Sequence, residues 1–384
     1  MLDITKLLID LTRCRVCGGA LAGSLEMSDE EVKALYRLAK SHDIAHIISV
    51  AIEGAEGISD EAKDAFRKQR FTAVYRYGCS SYELGVLSEA LEKAKIGFMP
   101  LKGSVIRDYY PEAWMRTSCD IDVLIRKEDL ENAISALVNA GYEERYSSPH
   151  DVSLYSKSGV HIELHFTLIE DGRVNESSDV LGRVWDYARP AEGCVYKRVM
   201  SDDMFYFYHI AHMAKHFEDG GCGVRPFLDL WILNHRVDVV RSSREALLRE
   251  GNLLKFAEAC EALSEAWFGS DGHNELTLKM QDYLINSGVY GKLENQVAIN
   301  SAKAGGGIGY ILSRIWPSYE KLTITYPGLK GRKILIPLYQ VRRWFRIVFS
   351  GGLKKMRTEV SVSSRQSDDE AEKIVEFFNE LGLH

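Results

Sequence analysis

The chain has 384 residues, 46% hydrophobic and 27% charged, which is long enough and apolar enough to bury a core in two or three packed units. A formal charge of -7 and a pI near 5.9 give no overall attraction to nucleic acid or to an anionic membrane, so any basic surface has to be local. Asp3, Lys6 and Asp10 interrupt what would have to be a secretory leader, no apolar run reaches the ~20 residues of a spanning helix, and seven irregularly spaced cysteines suit a reducing compartment. A cytoplasmic protein is expected.

The first elements read as helices. Ser28 and Glu31 have the spacing of a capping box ahead of Val32, Leu35, Tyr36 and Ala39, which recur at helical intervals. Asp60 to Lys95 continues the helical pattern, with Gly78 and Gly85 as points where it can bend. Residues 1–94 are therefore expected to form an N-terminal helical unit.

The pattern then alternates. Ile96 to Leu101 reads as a strand, Ser104 to Tyr110 as a short helix and Cys119 to Ile125 as a β-branched strand. Lys127 to Ala140 is helical, with Gly141 as its stop, and strands follow at Tyr142 to Tyr146, Val152 to Ser156 and Val160 to Phe166. Residues 95–170 thus predict a small mixed sheet with helices packed on it. Beyond it, 171–384 is expected to be a C-terminal helical unit, with helices at Asp203 to Phe217, Phe227 to Asn234 and Arg244 to Phe268. A second capping-box spacing, Ser367 and Glu370, precedes a terminal helix ending near Leu381. The fold class is α+β.

The chemistry concentrates in the mixed segment. In Asp120-Ile121-Asp122 the strand period places both carboxylates on one face, and like charges that close are unfavourable unless a cation lies between them. The site asks for Mg2+ or Mn2+. Along Val160 to Phe166, Glu163 shares the polar face with His161 and His165, which makes Glu163 a third ligand and His165 a supporting residue behind it. Lys102-Gly103-Ser104 joins a strand to a helix and forms a candidate phosphate cradle, because a glycine lets backbone approach a phosphate at the helix N-terminus.

Leu101-Lys102-Gly103, then Arg116 before Asp120-Ile121-Asp122, then Glu163-Leu164-His165 resemble the motifs of a bacterial group of uncharacterised nucleotidyltransferases in the polymerase-β-like superfamily. The resemblance implies transfer of a nucleoside monophosphate from an NTP to a hydroxyl or similar acceptor, with release of pyrophosphate. It also implies Asp120, Asp122 and Glu163 as the metal-binding and base-activating triad, two metal ions, and triphosphate contacts from Gly103 and Ser104. The interval from Gly103 to Asp120 is longer than usual because Tyr109 to Thr117 inserts a Pro-containing turn. Arg116 is a candidate to bind phosphate there, or else to pair with a neighbouring acid. The acceptor, whether small molecule, protein side chain or RNA end, is not written in these motifs.

Two other functions compete: a nucleotide-binding protein of the same fold without turnover, and a metal-dependent hydrolase built on His209, His212 and His216, which lie at helical spacing. An ordinary structural role for these histidines is the stronger reading. Cys14-x-x-Cys17 lacks a second pair and Gly305 to Gly309 lacks the strand and the Lys-Ser of a phosphate loop. Leu338, Val341, Phe345, Val348 and Phe349 form an apolar helical stripe with Arg342, Arg343 and Arg346 elsewhere on the helix, suited to docking on the protein itself or to a membrane surface or nucleic acid.

Overall fold

In a computed structural model of the chain, the structure describes residues 3–19, 25–169, 176–236, 239–288, 315–319, 331–349 and 368–383, with 297, 299, 301, 322–323, 326–329 and 358. The stretch Gly305 to Gly309 and the capping residue Ser367 lie outside them.

Helices α1 (Ile4–Arg13), α2 (Asp29–Ser41) and α3 (Ala45–Glu53) open the chain. Ser28 and Glu31 make the reciprocal capping box expected of them, which satisfies two otherwise orphaned N–H groups and is worth about 1 kcal/mol. Helix α4 (Asp60–Lys93) runs for 34 residues through Gly78 and Gly85. A Cβ at either glycine would meet nothing within 4 Å, so no neighbour requires their small size.

The sheet is built from β1 (Phe98–Pro100), β2 (Asp120–Ile125), β3 (Glu143–Ser147), β4 (Asp151–Tyr155) and β5 (His161–His165), in the order β1-β2-β5-β4-β3. Only β2 and β5 run parallel; the other three pairings are antiparallel. Helix α5 (Gly103–Ile106) follows β1, and α6 (Leu130–Asn139) follows β2, ending before Gly141, whose φ of +100° lets the chain turn back into β3.

The sheet separates two cores. On one face Ile121, Val123, Ile125, Ile162 and Leu164 pack with Leu87 and Leu91 of α4 and Ala133 and Leu137 of α6. On the other, Met99, Leu101 and Leu124 join a much larger apolar core shared by α1 to α3 and the C-terminal helices. Alternation along β2 and β5 thus decides which residues are anchored in the α4–α6 core and which polar ones turn the other way.

The C-terminal helices among the described residues are α7 (Glu176–Leu181), α8 (Asp202–Glu218), α9 (Arg225–Asn234), α10 (Arg241–Glu250), α11 (Leu254–Phe268), α12 (Glu275–Ile285), α13 (Ile336–Phe349) and α14 (Asp368–Leu381). A small hairpin, β6 (Ala188–Pro190) with β7 (Arg198–Met200), precedes α8. The single helix expected over Arg244 to Phe268 is in fact two. Asn252 takes a φ of +55°, and Leu253 N–H reaches back to Leu248 O at 2.8 Å, closing α10 in a left-handed cap. Gly251 permits the break at this place: a Cβ there would lie 2.4 Å from the Phe207 ring.

Candidate metal and nucleotide site

The parallel register of β2 and β5 brings the acidic groups together. Asp122 is paired with Glu163, Asp120 with His161 and Leu124 with His165, so Asp120 and Asp122 share a face with Glu163 and its flanking histidines. Two groups of side chains can hold an ion: Asp120, His161 and Glu163, and Asp122, Glu163 and His165. In each, the ligand atoms lie within 4.8 Å of one another. Glu163 belongs to both. Carboxylate oxygens suit Mg2+, and the imidazoles make Mn2+ equally acceptable, so the donor chemistry fits a divalent cation of this kind.

Charge balance in the site is uneven. Asp122 is buried, and its Oδ1 accepts from Lys102 Nζ at 2.7 Å and from His165 Nε2 at 2.9 Å. Burial opposes its ionisation, but Lys102 and His165 more than reverse that and hold its carboxyl well below the usual range. His165 responds in kind: burial disfavours its charged form, while bonds to Asp122 and Glu163 push it up to about 9. Asp120 goes the other way. Burial, and then the charges of Asp122 and Glu163, raise its carboxyl above the ordinary value. An acid crowded by two like charges is the electrostatic mark of a cation site.

The Lys102-Gly103-Ser104 turn abuts this cluster. Lys102 adopts φ 45° and ψ -123°, a conformation L residues avoid, and in it Nζ reaches Asp122. A Cβ on Gly103 would stand 3.1 Å from Ser118 Cβ and 3.3 Å from Arg116 Nη1, so a glycine is what lets the Arg116 and Ser118 side chains close over the start of α5. Ser104 is buried and does not line the cleft; its Oγ has a long 3.5 Å contact from Arg107 Nη2. Ser118 lines the cleft instead, its hydroxyl donating to Asp120 O.

Arg116 has an acid partner, though not a neighbour in sequence. Its Nε lies 2.8 and 2.9 Å from the two carboxylate oxygens of Asp229, and Nη1 donates to Thr117 O. Asp229 sits on α9 and also accepts from the Tyr110 hydroxyl at 2.6 Å. His46 Nε2 bonds Met115 O at 2.8 Å, so α3 and α9 together fix the loop that leads into β2. Sequence reading missed Asp229, Ser118 and Arg225. The one available hint was an acid inside the apolar run Phe227-Leu228-Asp229-Leu230-Trp231.

Helix α8 supplies the facing wall. His209, His212, Lys215 and His216 line a cavity of about 350 Å3 with Lys102, Gly103, Arg116, Asp120, Asp122 and Arg225. His209 is held by Pro226 O at 3.0 Å, and the Nε2 atoms of His212 and His216 lie 3.2 Å apart. Burial pushes both His209 and His212 below the ordinary imidazole value. Neither ion-holding group found among the described residues includes these three histidines, so a hydrolase centre built on them finds no support. A second cavity of about 390 Å3 adjoins the first and shares Lys102, Tyr208, His212 and Lys215 with it.

Carboxylates on adjacent strands with Lys215 and Arg225 lining the same cleft make the kind of site that can hold a polyphosphate through a divalent metal. The family model described as uncharacterised nucleotidyltransferase matches residues 28–269, and the chain belongs to that family. The membership supports nucleotidyl transfer as the general kind of reaction, and every residue of the cluster falls within the matched span. No curated protein matches the chain.

Proposed function

We propose that the protein transfers a nucleoside monophosphate from an NTP to an acceptor hydroxyl or similar group, releasing pyrophosphate. The observation that carries this reading is the register pairing of Asp122 with Glu163, which gathers three carboxylates and two histidines into two overlapping ion-holding groups. Asp120, Asp122 and Glu163 would hold Mg2+ or Mn2+, and when bound the ions would stabilise charge on the attacking and leaving oxygens of an in-line displacement.

The chain's own residues account for the rest. Lys102, Lys215 and Arg225 line the 350 Å3 cleft and offer cationic donors to a triphosphate. Nε of Arg225 is buried with no hydrogen-bond partner among the described residues, a donor that an anion would satisfy. Gly103 lines the cleft at the start of α5, where the phosphates would lie, and Arg116, tied to Asp229, shapes the loop beside them. The adjoining cavity of about 390 Å3 is the place for the acceptor; Glu163, which would take its proton, stands behind His165 of that cavity's lining, 3.5 Å from its Nε2. A small molecule or a single side chain fits that volume.

The test is a pyrophosphate-release assay over a panel of acceptors with each NTP and Mg2+ or Mn2+. Turnover should fall at least about 100-fold in Asp122→Asn and in Glu163→Gln. Lys102→Ala should weaken NTP binding by about ten- to hundred-fold, measured by calorimetry. NTP binding that ignores both carboxylates would sink the proposal.

A further inference from the structure

The chain's charge is unevenly distributed. Between 321 and 358 there are ten Lys and Arg and no Asp or Glu, in a chain whose acids outnumber its bases 55 to 48. This stretch lies beyond residues 28–269 of the family match. Its described helix is α13, whose 14 residues make a rod roughly 20 Å long. Pro337 sits in its first turn, where a missing N–H costs nothing.

The two faces of α13 differ. Ile336 and Tyr339 pack on a small separate cluster of Leu322, Tyr326 and Leu329, and Gln340 is buried on the same side. Away from that cluster Leu338 is 64% exposed, Val341 53% and Phe345 61%, with Ile334 at 94% just ahead of the helix. At 100° per residue, positions 338, 341 and 345 fall in one arc. Arg342 and Arg346, both exposed, border it, each also standing over the Tyr326 ring at 5.6 Å. Arg332 and Lys333 are exposed at the helix entrance.

We propose that α13 lies flat on an anionic lipid surface, with Ile334, Leu338, Val341 and Phe345 inserted among the acyl chains near the headgroups and Arg332, Lys333, Arg342 and Arg346 over the phosphates. Phe345 suits either surface, but Ile334, Leu338 and Val341 are aliphatic and gain from lipid what they cannot gain from nucleic acid, whose bases reward stacking. A second copy of this chain would bring the same Arg332, Lys333, Arg342 and Arg346 to the contact, and like charges facing each other oppose docking. At 14 residues α13 is shorter than the ~20 that a spanning helix needs, so its contact with lipid is in the plane of the surface. The proposal stands apart from the transferase reading and does not depend on it.

Sedimentation of the full chain with vesicles tests it. Vesicles of phosphatidylcholine with phosphatidylglycerol should bind at least about ten-fold more tightly than phosphatidylcholine alone, with the difference shrinking in high salt. The double variant Leu338→Glu/Val341→Glu should lose binding while keeping the circular dichroism spectrum of the parent. Val341→Trp, which keeps the face apolar, should bind more tightly, so the test survives if the glutamate variant fails to fold. Equal partition into neutral and anionic vesicles overturns the proposal. So does a concentration-dependent dimer broken by the same substitutions, or capture of a single-stranded oligonucleotide in preference to vesicles.

Discussion

Arg116 and Asp229, 113 residues apart in the chain, form a buried ion pair in which one guanidinium nitrogen lies within 2.9 Å of both carboxylate oxygens. Burial opposes the charge on each partner; the pairing overcomes it, raising Arg116 and lowering Asp229 relative to their ordinary values. Side-chain exposure is 10% and 1%, so removing one member strands the other away from water. Asp229→Ala should therefore destabilise the fold by about 3–5 kcal/mol in urea unfolding. The double variant Arg116→Met/Asp229→Leu should cost less than Asp229→Ala alone; a cost equal to the sum of the single substitutions would show that the pair is not coupled.

Asp120 is predicted to be a position where stability and function part. Its carboxyl is raised by burial and by Asp122 and Glu163, so its ionised form is unfavourable in the fold without a cation. The sign follows: its contribution is most favourable below the unfolded value near 3.8 and is lost as pH rises through the higher folded value. In EDTA at neutral pH, Asp120→Asn should raise stability by about 0.5–2 kcal/mol while weakening Mn2+ binding measured by calorimetry. A lower melting temperature in EDTA would contradict the repulsion.

Acid should loosen the fold through histidines as well as carboxylates. Burial depresses His42, His46, His209 and His212 below the ordinary imidazole value of 6.5. Each is neutral when folded and can protonate when unfolded, so this stability is full above about pH 6.5 and declines as pH falls towards the depressed folded values. The melting temperature should drop between pH 7 and about pH 5. In His46→Asn, which removes one such group, the slope over that window should be shallower; an unchanged slope would show that His46 does not contribute.

The break between α10 and α11 offers a steric test. Gly251→Ala places a methyl 2.4 Å from a Phe207 ring carbon, inside contact distance, and should cost about 1–3 kcal/mol in thermal or urea unfolding. Phe207→Leu in the same chain should recover part of the loss. If the double variant is no more stable than Gly251→Ala, the clash lies elsewhere.

Local rules carried much of this protein. Ser28 and Glu31 mark the start of α2 because a capping box acts within one turn, and the 2.0-residue period of β2 puts Asp120 and Asp122 on one face whatever surrounds them. The Glu163 face was legible for the same reason. The α10–α11 break carries a local signal, Gly251 followed by Asn252 at a φ of +55°, but the contact that excludes a side chain at Gly251 comes from Phe207 of another helix, which no local pattern shows.

The sequence by itself determined which side chains alternate, where helices begin and which short segments bear carboxylates, since these depend on neighbours a few bonds away. Tertiary structure alone decided that Asp122 stands beside Glu163, that Lys102 and His165 share its oxygen, that Arg116 is held by Asp229 and that Ser118 rather than Ser104 lines the cleft. Those relations join strands, loops and helices distant along the chain. They are fixed by the order of strands in the sheet and by the packing of α8 and α9 against it, which no local periodicity encodes.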